Sequence, residues 1–123
     1  MTMLERAAAW LAGASLGHLS VPVTYRRRGA APVHLQAVIG SSVYQADDGN
    51  GMIVRTETRD FIVATRDLAL EPARGDTIAC SGSIYEVLAP DGSPCWRWSD
   101  SFRHMMRIHT KETGPELEEQ THD

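Results

Sequence analysis

Two periodicities divide the chain: apolar residues recur at helical spacing up to about residue 17, and alternate with polar ones from Ser20 onward. In the first segment Leu4, Ala7, Ala8, Leu11 and Ala14 fall on one face of a helical wheel, with Trp10 at its margin. Thr2 and Glu5 supply a T-x-x-E capping box, and Gly13 or Gly17 can end the helix. A helix this short is marginal in water, so it needs a surface to pack on, either its own β domain or a neighbouring subunit.

The alternating region reads as a series of short strands. Val21 to Arg28 and Val33 to Ser42 are extended, joined by a turn at Gly29-Ala30-Ala31-Pro32. Gln45 to Gly51 is rich in turn formers and reads as a loop, followed by an extended stretch from Met52 to about Thr65. Glu71 to Asp76 is a connection, after which Thr77 to Cys80 and Ser83 to Ala89 pair across Ser81-Gly82. Asp91-Gly92 marks a reversal, Trp96-Arg97-Trp98 puts both indoles on one face, and Arg103 to Lys111 returns as a last strand with Met106 and Ile108 inward. The expected fold is mainly β: a small β-barrel or sandwich with a short N-terminal α-helix and a long loop. Its expected organisation is a helix at 1–17, a β domain at 18–113 and an acidic tail at 114–123, nearly free of apolar residues.

Composition narrows the function classes. At 123 residues there is room for one core and no second domain. Twelve Lys and Arg against sixteen Asp and Glu give a net charge of −4, which argues against a binder that relies on a basic surface to neutralise phosphates. Two cysteines, Cys80 and Cys95, are too few for a disulfide framework and lack the paired spacing of a zinc site. They read as reduced, semi-buried thiols. Ala7 to Leu16 follows Arg6 and contains Ala12-Gly13-Ala14, yet Glu5 and the early Gly13 speak against a signal peptide. The stretch is also far short of the roughly 20 apolar residues that span a bilayer, so no targeting or membrane segment is expected.

Candidate chemistry is sparse. His18, His34, His104, His109 and His122 are scattered without ligand spacing and read as exposed or strand-rim residues. Asp47-Asp48-Gly49-Asn50-Gly51 fits no register of a calcium loop, and no nucleophile elbow, P-loop or dinucleotide fingerprint is present. Carboxylate pairs such as Asp60 with Asp67 or Glu86 with Asp91 have no spacing that favours acid–base work, and read as solvated surface acids. No cofactor, metal or catalysis is expected.

What remains is a set of candidate contact residues. Arg26-Arg27-Arg28 is the one basic concentration, suited to an acidic neighbour or a passing phosphate backbone, with Arg26 and Arg28 on one side of the strand and Arg27 on the other. Trp96 and Trp98 suit core packing or a subunit interface. Met52 and Ile53 at the loop tip, with Tyr44 on its near side and Trp10 of the helix, complete the candidate interface.

The run Pro72-Ala73-Arg74-Gly75-Asp76-Thr77-Ile78, then Gly82, then Tyr85-Glu86-Val87-Leu88, resembles the P-x-x-G-D-x-I … G-x-x-Y-x-V core of tailed-phage head–tail joining (neck) proteins. The preceding strand, Arg55 to Val63, and the closing Trp96-Arg97-Trp98-Ser99-Asp100 and Arg107-Ile108-His109-Thr110-Lys111 are similar to small neck proteins of prophages. The resemblance covers about Val21 to Lys111. It implies a non-enzymatic virion protein at the neck, assembled in the host cytoplasm as a hexameric or dodecameric ring. The ring would sit between the portal or adaptor and the tail terminator or tail tube, with double-stranded DNA passing through it unread. A surplus of negative charge would let that DNA slide. Two rivals stand beside it: a small β-barrel module that grips a peptide or protein through Trp96, Trp98 and the 45–52 loop, and an enzyme on a small barrel, for which the chain offers no motif.

Overall fold

The computed structural model describes residues 20–47 and 49–116. They form seven antiparallel strands in one sheet: β1 (Ser20–Arg26), β2 (Val33–Asp47), β3 (Ile53–Ala64), β4 (Thr77–Cys80), β5 (Ser83–Val87), β6 (Trp96–Trp98) and β7 (Met105–Pro115). Single 3₁₀ turns at Thr65–Asp67 and Pro90–Gly92 are the helical content of the described residues. The mainly β reading therefore holds. The expected N-terminal helix, with Trp10, lies outside the described residues, as do His18, His122 and residues 117–123 of the tail.

The strand order is β3-β2-β1-β4-β5-β7-β6, and β3 pairs in addition with β7. The ladders β3–β2, β2–β1, β1–β4, β4–β5, β5–β7 and β7–β3 thus form a closed circuit, with β6 added along the first part of β7. Inside it, alternation does what period two predicts. Val23 and Tyr25 of β1, Leu35 and Ala37 of β2, Phe61 and Val63 of β3, and Met106 and Ile108 of β7 are all buried. Phe61 and Tyr85 meet edge to face with ring centres 5.1 Å apart.

Three boundaries differ from the sequence reading. The 45–51 segment is not all loop: β2 runs to Asp47, which pairs with Ile53, so only a short turn remains. Main-chain pairing with β3 continues there whatever the side chains favour, and Gly49 (φ 89°) and Gly51 (φ 84°) supply the left-handed residues that reverse the chain. β1 stops at Arg26 because Ala30 N–H closes a turn onto the Arg27 carbonyl at 3.0 Å. β7 runs to Pro115 rather than Lys111, carried by pairing of Ile84 with Gly114 and Ser83 with Pro115 past an irregularity at Ile84/Tyr85.

Candidate interface

β2 and β3 are longer than the strands beside them. β1 covers only Val33 to Val38 of β2, and β7 reaches only as far as Arg59 of β3, opposite Thr110. Beyond those points Ser42–Asp47 and Ile53–Thr58 form a two-stranded ribbon with no third strand beside it among the described residues. A two-stranded hairpin is marginal by itself, so something must hold its base.

That hold is a buried polar cluster centred on Asp60, which is fully buried. Its carboxylate accepts from Thr58 Oγ1 (2.7 Å), His109 Nδ1 (2.9 Å) and Arg107 Nη1 (2.8 Å), and from the Ser42 hydroxyl. Ser42 is on β2, Thr58 and Asp60 on β3, Arg107 and His109 on β7, so one carboxylate ties three strands. Burial pushes the Asp60 carboxyl up, but the hydrogen bonds from His109, Ser42 and Thr58 outweigh it and bring it down to about 2. With Asp60 ionised, His109 Nδ1 carries the hydrogen of that bond, leaving Nε2 for the Tyr44 hydroxyl at 3.0 Å. Burial, and then the Asp60 charge, push the Tyr44 phenol up. Gly40 makes room for this arrangement, since a Cβ there would lie 3.2 Å from Arg107 Nη2.

These findings correct two expectations. Asp60 is not a solvated surface acid, and His109 is not at the rim: its side chain is 1% exposed. Both burials are tolerated because every polar atom involved finds an opposite charge or a hydrogen bond.

Beside the cluster lies an open groove of about 720 Å³, with Tyr44 on one wall, Trp96 and Trp98 on the other, and Arg107 and His109 between them. The two indoles share a face as alternation requires, meeting edge to face with centres 4.8 Å apart, while Arg97 between them is exposed. Each is half-buried and packs on the core. Arg103, at φ 64° in the turn before β7, lies over Trp98 at 5.8 Å. That turn is held by Asp100 Oδ1, which accepts from the main chain of His104 and Met105 at 2.8 and 2.9 Å.

The arginine run sits at a different place. Arg27 turns to Asp76, giving Nη2–Oδ2 2.8 Å, while Arg26 reaches Glu116 at 3.5 Å and Arg28 is exposed. Asp76 also accepts from the Tyr25 hydroxyl and, at 3.1 Å, from Ala73 N–H. Burial raises the Asp76 carboxyl, but its bonds to Arg27 and Tyr25 win and hold it below the usual range. Gly75 (φ 92°) turns the chain, and the Asp76 carbonyl then accepts from Val87 N–H at 2.8 Å. The Gly-Asp step is therefore both a turn into β4 and the anchor of β1.

The sequence in which this Gly-Asp step is embedded matches the family model described as "Phage head-tail joining protein" over residues 1–117. The chain belongs to the phage head-tail joining protein family. Curated proteins give no match. As a member of the head-tail joining family it has a structural role at the neck of a phage particle, in contact with other head and tail proteins.

Of the residues singled out in the sequence, Tyr44, Trp96 and Trp98 of this head-tail joining protein come together at one groove. Met52 and Ile53 stand at the ribbon tip, 65% and 71% exposed. Arg26 to Arg28 lie by the Gly75-Asp76 turn, apart from both, and Trp10 is outside the described residues. Sequence reasoning missed Ser42, Thr58, Asp60, Arg107 and His109. The available signal was the polar spacing of Thr58 with Asp60 and Arg107 with His109, each two apart and so on one strand face.

Proposed function

We propose that this protein is a barrel-like protomer of the head–tail connector, assembling as a ring between the portal or adaptor and the tail, around the DNA channel. The observation that carries the reading is the family match over residues 1–117. The closed circuit of ladders supports a rigid barrel-like body, and the ribbon and the Trp96/Trp98 groove supply contact surfaces of the kind that subunits and neck neighbours use. A net charge of −4 suits a protein that DNA passes without adhering.

The test is the mass of the purified protein by light scattering, alone and mixed with portal-containing heads that lack tails. A mass of six or twelve copies, or head binding with restored tail attachment, is the expected result. A protein that stays monomeric and ignores the heads would remove the reading in favour of a free-standing peptide-binding module acting through the Trp96/Trp98 groove.

A further inference from the structure

Among the described residues the β2–β3 ribbon has two edges with no strand beside them, and on the β2 edge the Ser41 carbonyl accepts from Arg107 Nη1 at 3.4 Å. On one side no strand among the described residues pairs with Ile39–Asp47, since β1 ends its pairing at Val38. On the other, β7 makes no ladder with Ile53–Thr58, of which Ile53 to Arg55 and Glu57 are exposed and Thr58 is buried. Exposed edges are templates for further pairing, and proteins that must avoid this guard them with lysine, proline or bulges. The segment Ile39-Gly40-Ser41-Ser42-Val43-Tyr44-Gln45-Ala46-Asp47 has no lysine, arginine or proline, and its register with β3 is unbroken.

The side chains give the same message. The exposed large apolar residues of the described chain are Val43, Met52, Ile53 and Val54, and all four belong to this ribbon or its turn. Single exposed apolar residues are ordinary, but their concentration on one element marks a contact surface. The two open edges lie on opposite sides of the same ribbon, so neither can satisfy the other within one copy. Joining the β2 edge of one copy to the β3 edge of the next is a heterologous contact, which repeats in one direction until it closes into a ring.

We propose that successive copies of this chain are joined through these edges, Ile39–Asp47 of one against Ile53–Thr58 of the next, as a shared main-chain ladder. The proposal rests on the ring reading above and adds the surface and the partner, a second copy of the same chain.

Hydrogen–deuterium exchange on the full-length protein tests it, comparing the monomer with the assembly formed at high concentration or on tailless heads, each state defined by its mass. Amides within 39–47 and 53–58 should exchange at least about ten-fold more slowly in the assembly. In the double variant Val43→Lys, Val54→Lys, a thermal transition close to that of the wild type with loss of assembly is expected. Assembled copies whose edges exchange at the monomer rate would overturn the proposal while leaving the ring reading intact. So would a double variant that still assembles, a dimer that stops at two copies, or edge protection in which a different head or tail protein covers a single copy. Absence of any assembly in both settings would remove the ring reading and this proposal together.

Discussion

Asp60 shows how one side chain can fix a strand arrangement. It is buried with an arginine, a histidine and two hydroxyls around it, and the two cations or donors on β7 have no alternative anion in the cluster. Replacing Asp60 by alanine leaves Arg107 and His109 facing a small cavity. The expected loss is about 3 kcal/mol of unfolding free energy, read from urea denaturation. The same carboxylate gives a pH signature. Its folded value of about 2 lies below that of an unfolded chain, so its contribution is fully present above about pH 4 and disappears as the pH falls through 2. The difference amounts to about 2 kcal/mol, and Asp76, displaced in the same direction, adds to it. Denaturation midpoints measured from pH 6 to pH 2 should fall most steeply in that window, and less steeply in Asp60→Ala.

At the scale of elements, the ribbon depends on its base. Tyr44 is the outermost residue that ties β2 to β7, through the His109 ring. Tyr44→Phe keeps the aromatic contact and removes one hydrogen bond, so the expected cost is about 1 kcal/mol. Amides from Ser42 to Asp47 should then exchange faster while those of β1 and β4 do not change. This element also marks the limit of what the sequence made legible. The strands around Phe61, Ile78 and Ile108 were readable because their alternation reflects a buried face. Gln45 to Asp47 looked like loop because strand pairing there is decided by β3, a non-local partner that composition does not encode. Asp60 and His109 looked like surface residues for a related reason. Their burial depends on a register between β3 and β7 that places residues 49 apart face to face. The groove was legible in part: Trp96 and Trp98 were visible as a pair, but Arg107 between them and Tyr44 was not.

For the whole molecule, the charge balance makes a direct statement about DNA. Three arginines in a row invite a phosphate contact, but Arg27 is engaged with Asp76 and Arg26 with Glu116. What remains of the run is one exposed arginine, Arg28, on a chain of net charge −4. The free protein should therefore show no retardation of a double-stranded fragment in a gel-shift assay at about 0.15 M salt, where non-specific binders rely on several phosphate contacts. A firm, salt-sensitive shift would place Arg28 and its neighbours on a DNA-facing surface instead.

The end of β7's pairing with β3 at Arg59 and Thr110, which leaves the ribbon two-stranded, has a mechanical side. Cross-strand hydrogen bonds in an antiparallel pair lie perpendicular to the strands. Tension along the ribbon is therefore shared by all its rungs at once, whereas a force that splays β2 from β3 at the tip meets them one after another, like a zipper. Such an element is stiff in pull and soft in peel, and it would yield first where Asp47 meets Ile53 and last where the Asp60 cluster begins.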